Sequence, residues 1–328
     1  MIGRVVEIAG DSRYLHKERG FLVVSHRGAE QGRVPLDDIA ALICNAHGLV
    51  YSNNLLVALV ERGCPIVLCG KNHMPAGIIC AVDSHHRQGA RLDAQAAASL
   101  PTKKRLWQEL IRKKLGMQAA TLGAYGLPEP PLRALIPKVT SGDARNMEGV
   151  GARRYWRLLF GHHFRREQDG EGINAMLNYG YTVLRATVAR HLLATGLHPG
   201  MPLHHANDAN ALRLVDDVME PFRPLVDAQV RQLADLGRYD VDTPNKRELS
   251  LMMARGIQTE EGLSPVSVAI ERLCVSLAQV FEKQRKHLAL PYDRAESVSA
   301  WLGNRASFGN SWSDNGADET LPPITEEE

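Results

Sequence analysis

The chain has 328 residues, 44% hydrophobic and 23% charged, with a formal net charge of +2. That length accommodates two domains and a sizeable core, and the composition excludes a disordered, collagenous or disulfide-scaffold protein. No apolar run approaches the roughly 20 residues needed to cross a bilayer, and the opening MIGRVVEIAGD lacks the apolar stretch of a secretory signal, so no membrane partner and a cytoplasmic location are expected.

Residues 1–92 read as a small β-rich domain with one helix. GRVVEIAG, GFLVVSHRG, IAALICN, CPIVLCG and AGIICAV are β-branched or apolar runs bounded by Gly, Asn or Pro, the signature of short strands. Before the fourth run, YSNNLLVALVERG predicts a helix capped by Ser52 or Asn53. Its apolar face is Leu55, Leu56 and Leu59, and Gly63 closes it. The five cysteines (Cys44, Cys64, Cys69, Cys80 and Cys274) form no CxxC pair and lie mostly inside apolar runs, which reads as buried thiols rather than a zinc or disulfide framework.

DSHHRQGARLDAQAAASLPTKKR changes character and runs as a linker into helix. Residues 93–305 read as a larger all-helical domain, so the expected fold class is α+β. In TKKRLWQELIRKKLGMQAATL, Leu106, Leu110, Ile111, Leu115 and Leu122 recur at helical spacing with Lys and Arg opposite. Further helices are expected in ARRYWRLLFGHHFR, INAMLNYGYTVLRATVARHLLAT, NALRLVDDVMEPFRPLVDAQVRQL and SPVSVAIERLCVSLAQVFEKQRK. Residues 306–328 are polar and acidic and read as a disordered tail. Six of the 37 acids lie beyond Arg305 and none of the 39 Lys and Arg do, so residues 1–305 carry +8. Fourteen of those basic residues fall between 102 and 166 against four acids, a concentration that suits a polyanionic partner.

Against this background a few acids and histidines stand out. If ALRLVDDVME is helical, Asp217 and Glu220 share one face, with Asp216 about 100° away around the axis. Two neighbouring carboxylates repel unless one is protonated or a cation sits between them, and Arg223 is the nearest positive charge. His204 and His205 precede them. Glu148 is the one acid among Arg145, Arg153, Arg154 and Arg157, flanked by Gly149 and Gly151. Taken singly, each is also what an unremarkable helix surface carries. Together they make a hard, oxygen-rich donor set with one imidazole, which suits Mg²⁺ or Mn²⁺ better than zinc. Beside a basic surface, that set suits metal-assisted phosphodiester chemistry. Lys103, Lys104, Arg112, Lys113, Lys114, Arg145, Arg153, Arg154 and Arg157 are candidates for phosphate contacts in DNA binding. Tyr155, Trp156, Tyr179 and Tyr181 could stack on bases or pack between helices.

Three segments resemble a known family. NMEGVGARRYWRLLF, AMLNYGYTVLRATVARHLLATGLHPGMPLHH and LVDDVMEPFRPLVD are similar to segments of the CRISPR-associated integrase and endonuclease of spacer acquisition, the larger of the two universal adaptation proteins. The EPFRP and LHH details are most like the type II branch, which accompanies a single large effector nuclease. The resemblance implies that Glu148, His205 and Glu220 are catalytic metal ligands with Asp217 accompanying them, His204 being the alternative to His205. It further implies a homodimer formed through the N-terminal domain, flanking a small adaptation partner protein in a heteromeric complex. The effector nuclease is a further candidate partner. Double-stranded DNA would be the substrate, with 3′-hydroxyl ends of a spacer precursor joined to the CRISPR repeat by transesterification. A hydrolytic nuclease for branched DNA and a non-catalytic DNA-binding scaffold remain the alternatives.

Overall fold

The computed structural model describes residues 4–70, 75–82 and 85–303. The acidic segment expected to be a disordered tail, 306–328, lies outside them.

The N-terminal part is built from two four-stranded sheets and a helix. Its strands are β1 (Arg4–Ile8), β2 (Tyr14–Glu18), β3 (Phe21–His26), β4 (Ala29–Pro35), β5 (Ile39–Cys44) and β6 (Val50–Tyr51). Helix α1 (Asn53–Glu61) then leads to β7 (Ile66–Cys69) and β8 (Pro75–Ile79). One sheet has the order β1-β5-β7-β8, parallel except for β7 against β8; the other has the order β4-β3-β2-β6. Ser52 caps α1, its hydroxyl accepting from the Leu55 amide. Strands β2 and β4 carry no signal in the sequence. YLHKE and AEQGRVP are mostly exposed, so neither shows the apolar alternation that a half-buried strand leaves.

All six residues of β5 are buried, and successive side chains face opposite ways. Leu42 and Cys44 join Leu15, Leu22, Leu55 and Leu59 in the N-terminal core. Ala41 and Ile43, with Val67 of β7, join the core of the helical part. The first sheet is therefore a wall shared by both cores. A continuous apolar run such as IAALIC is what a strand covered on both faces requires.

The helical part begins with α2 (Gln88–Ala96), which contains residue 92, and α3 (Leu100–Ala124). Ser99 caps α3, and Pro101 sits in its first turn. A short α4 (Pro130–Arg133) precedes α5 (Met147–Phe160), α6 (Ile173–Ala194) and α7 (Arg213–Met219). After α7 come α8 (Arg223–Asp235) and α9 (Thr243–Leu251), then a hairpin of β9 (Gly256–Thr259) and β10 (Gly262–Pro265), and finally α10 (Val266–Phe281) and α11 (Ala295–Leu302). The hairpin corrects the expectation of an all-helical part: GIQT and GLSP are too short and too polar to show a strand period. The single helix expected across NALRLVDDVMEPFRPLVDAQVRQL is also divided. Pro221 has no amide hydrogen for the helical ladder, and Glu220–Phe222 form a 3₁₀ turn between α7 and α8. Among the described residues no helix is long and apolar enough to cross a membrane.

Helices α3 and α6 form the spine. Helix α3 packs on α4, α5, α8 and α11, and α6 on α7, α8, α9 and α10. The α6–α8 approach is close at Gly180, where a Cβ would come within 2.4 Å of Val226 Cγ1. Gly180→Ala is expected to destabilise the fold by about 1–3 kcal/mol through overpacking, more than the ~1 kcal/mol an alanine gains inside a helix. A urea midpoint unchanged or raised in the variant would show that the two helices separate freely.

Candidate functional site

Three elements converge on one buried ammonium. Lys114, on the inner face of α3, is 7% exposed. Its Nζ lies 2.5 Å from Glu148 Oε1, in the first turn of α5, and 2.5 Å from Glu220 Oε2, on the 3₁₀ turn. Glu220 is itself buried, and its Oε1 accepts from Arg223 Nε at 2.9 Å. Its Oε2 has charge beside it but no aligned hydrogen-bond donor. Burial would raise the Glu220 carboxyl, but Arg223 and then Lys114 overcome it and hold it at about 2. Burial likewise works against the Lys114 ammonium, yet Glu220 and Glu148 hold it above the ordinary lysine range. The break at Pro221 places Glu220 at the start of a turn, beside both cations.

Glu148 owes its place to the loop before α5. Asn146, at φ 51°, caps the helix by accepting from the Gly149 amide. The buried Asp143 carboxylate accepts from the Met147 and Glu148 amides at 2.9 Å each. Gly151 lets α5 approach α3, since a Cβ there would stand 2.3 Å from Leu115 Cδ2. Gly149 and Gly151 thus serve capping and packing.

The two histidines are distinguished by their surroundings. The His204 ring lies flat on the buried Trp107 indole, 4.4 Å between centroids at 5°. His205 meets that indole edge-on, and its Nδ1 is 2.7 Å from Asp217 Oδ1. Asp217, fully buried, also accepts from the amides of Leu203, His204 and His205. Four donors surround its two oxygens, so the carboxylate faces the histidine loop. An acceptor at Nδ1 fixes the proton there and leaves Nε2 as the free lone pair. The bond to Asp217 raises the His205 pKa, outweighing burial. The loop is also held from behind. Gln95 of α2 donates to the carbonyls of His198 and Met201 and accepts from the His198 amide at 2.8 Å.

Asp216 takes the separate path its helical angle dictates, pairing through both oxygens with Arg185 at 2.8 and 2.9 Å. His205, Arg166, Arg185, Arg223, Tyr181 and Asn178 line a cavity of about 400 Å³. The sequence reading singled out neither Arg166 nor Arg185; Arg185 is one arginine on the amphipathic α6, and Arg166 lies in the loop before it, held to α6 by Asn174 and Asn178.

The candidate phosphate contacts divide. Lys104, Arg112, Arg145, Arg153 and Arg157 are exposed and Lys103 is half-buried. Lys113 pairs with Asp293 at 2.8 Å, while Arg112 and Arg154 donate to the carbonyls of Val139 and Pro131. Lys114 is corrected: it is buried between carboxylates and does not face outward. Tyr155 is fully buried, and Trp156 packs with Phe160 and Phe164. Tyr181 lies under the Arg223 guanidinium at 4.9 Å and donates to Asp227 Oδ1 at 2.5 Å. Packing is the better reading for the first two. Among the described residues no three His, Cys, Asp or Glu side chains stand together as a ready-made ion cage. The donor chemistry nevertheless fits a hard divalent ion: two carboxylates meet on one positive charge, and an oriented imidazole is nearby.

The family model for CRISPR associated protein Cas1 matches residues 6–258, and the chain belongs to that family. It is similar to the CRISPR-associated endonuclease Cas1 of Neisseria meningitidis serogroup C, with 37% identity over 84% of this chain and 92% of that protein. Its fold is similar to that of a casposase bound to its integration product, with a TM-score of 0.73 at 18% identity over 87% and 92% of the two chains. A Cas6-RT-Cas1–Cas2 complex matches with a TM-score of 0.71 at 15% identity, over 89% of this chain and 36% of that one.

Beneath the site, Asp227 is 2% exposed, and burial lifts its carboxyl from 3.8 to about 7 despite the bond from Tyr181. A folded-state pKa raised above the unfolded one means that the native state holds this proton longer. Stability from this group is therefore fully present below about pH 4 and lost as pH rises toward about 7. Asp227→Asn is expected to remove that loss, on the order of 2–4 kcal/mol. Urea unfolding of both proteins at about pH 4.5 and about pH 7.5 isolates the effect; identical pH dependence would contradict it.

Proposed function

We propose that this chain is a metal-dependent DNA integrase and endonuclease of CRISPR adaptation. The observation that carries this reading is the convergence of Glu148 and Glu220 on a single buried positive charge, beside an oriented His205 and an arginine-lined cavity. Glu148, Glu220 and His205 Nε2 would hold Mg²⁺ or Mn²⁺. Such an ion polarises a phosphoryl oxygen and neutralises charge developing on the leaving oxygen. Asp217, proposed from sequence as a fourth ligand, fits better as the group that fixes the His205 tautomer. Arg223 keeps Glu220 ionised at any working pH. The cavity arginines hold the phosphodiester in register, and guanidinium geometry suits that task.

The attacking group is a 3′-hydroxyl of a short duplex, and the bond broken is a phosphodiester of the repeat. Each joining exchanges one P–O bond for another, and the proton of the hydroxyl leaves to solvent or to a base. The casposase held with its integration product supports joining as the reaction of this fold. The name endonuclease borne by the Neisseria relative supports the second reading, hydrolysis of branched DNA at the same residues with water as nucleophile. The Cas1–Cas2 complex supports a small partner protein. Homodimerisation through the N-terminal part rests on the family resemblance.

Glu148→Ala and His205→Ala are expected to abolish Mn²⁺-dependent joining of a labelled duplex to plasmid, with duplex affinity and a cooperative unfolding transition retained. Undiminished joining in both variants would overturn the reading. Nicking without joining by the unaltered chain plus its small partner would favour the hydrolytic one. Asp217→Asn is expected to lower joining about 10–100-fold, the usual effect of removing a group that orients a ligand; a loss as complete as that of His205→Ala would make Asp217 a ligand.

A further inference from the structure

The ammonium of Lys114 occupies the point that a divalent ion would need. It stands 2.5 Å from an oxygen of each glutamate. An ion binding the same oxygens takes them at about 2.0–2.2 Å, so ion and ammonium nitrogen cannot occupy that point together. Glu220 does not depend on Lys114 for a partner, because Arg223 Nε lies at 2.9 Å from its other oxygen. Glu148 differs: its side chain is one-third exposed, giving that flank of the cluster an opening. The two cations also differ in kind. Arg223 is a planar fork held over the Tyr181 ring and beside Glu220, whereas lysine is a point charge on a flexible four-carbon stem.

We propose that Lys114 is a resident counter-ion for the Glu148–Glu220 pair, displaced when a divalent cation binds, so that ion entry and release of this ammonium are a single exchange. This rests on the reading of Glu148 and Glu220 as ion ligands. Two carboxylates from separate elements repel in a buried site, and Lys114 lets α3, α5 and the 3₁₀ turn assemble before any ion arrives. The same contact lowers the apparent affinity for the ion, because the ammonium-bound state must first be left.

Mn²⁺ binding to the full chain without DNA, followed by electron paramagnetic resonance and by thermal unfolding, tests the exchange. Lys114→Met is expected to melt several degrees lower without ion, to bind Mn²⁺ roughly tenfold tighter or more, and to gain more in Tm when Mn²⁺ is added. Lys114→Gln retains a neutral donor and is expected to show the same changes more mildly, which keeps the test open if the methionine variant does not fold. Lys114→Arg should keep the weaker binding. Glu148→Gln is expected to lose Mn²⁺ binding in every background. Unchanged Mn²⁺ affinity in both neutral variants, with binding still dependent on Glu148, would overturn the counter-ion role and leave the ion site standing. No Glu148-dependent Mn²⁺ binding in any variant would overturn the ion site itself.

Discussion

Two carboxylates that must coexist, Glu220 buried and Glu148 half-buried, set the terms for everything around them. Glu220 is 3% exposed and shares its surroundings with Glu148, and an ionised pair in that setting needs positive charge at contact distance. The protein supplies it twice, from Arg223 on the following helix and from Lys114 on α3. The need for Lys114 explains why α3 runs through the middle of the helical part with a lysine on its buried side. Arg223 follows Glu220 by three residues, a spacing that puts the two side chains within reach of each other, and the 3₁₀ turn at Pro221 keeps them paired at 2.9 Å. Charge balance at one point thereby fixes the relative placement of α3, α5 and α8.

The second constraint is the loop that delivers His205. Its end is tied to Asp217, which sits on α7 three residues before Glu220, so the imidazole is held against the short helix that leads into the Glu220 turn. Its start is tied to Gln95, on the helix that follows the N-terminal sheets. The position of His205 consequently depends on α2, the helix that stands next to the junction of the two parts of the chain. They meet across a shared sheet, with Ala41, Ile43 and Val67 in the helical core, and through Lys246 of α9 paired with Glu7 of β1 at 2.9 Å. A rigid junction of this kind suits a site whose residues come from distant stretches of chain.

The amphipathic helices were legible because their buried residues recur at three and four. Leu106, Leu110, Ile111 and Leu115 are each fully buried. Glu148, His205, Asp217 and Glu220 were named from the sequence chiefly through segments resembling a family, since spacing alone put only Asp217 and Glu220 together, and Arg166 and Arg185 were not named. What the sequence hid has physical reasons. Strand β4 is an exposed edge and leaves no period. The hairpin after α9 is too short for one. Lys114 looked like one more cation on a basic helix, because KK at 113 and 114 turns one lysine outward to Asp293 and the other inward by 100°. Only knowledge of which face of α3 meets α5 separates them.

That 100° decides how the basic stretch is read. Fourteen positive charges between residues 102 and 166 suggest a continuous surface for a polyanion, and five of the nine singled out are exposed as such a surface needs. Of the other four, Lys103 is half-buried and three belong to the fold: Lys113 to Asp293, Arg154 to a carbonyl, Lys114 to the acids. Charge on this protein thus has two separate tasks, attraction at long range and neutralisation at contact distance. Salt screens the first across a Debye length of about 8–10 Å, while the second is buried and screened far less. The acids at residues 148 and 220 are therefore governed by their immediate partners, whereas the outward-facing cations of α3 and α5 act only through the long-range, screened attraction that they exert on any polyanion.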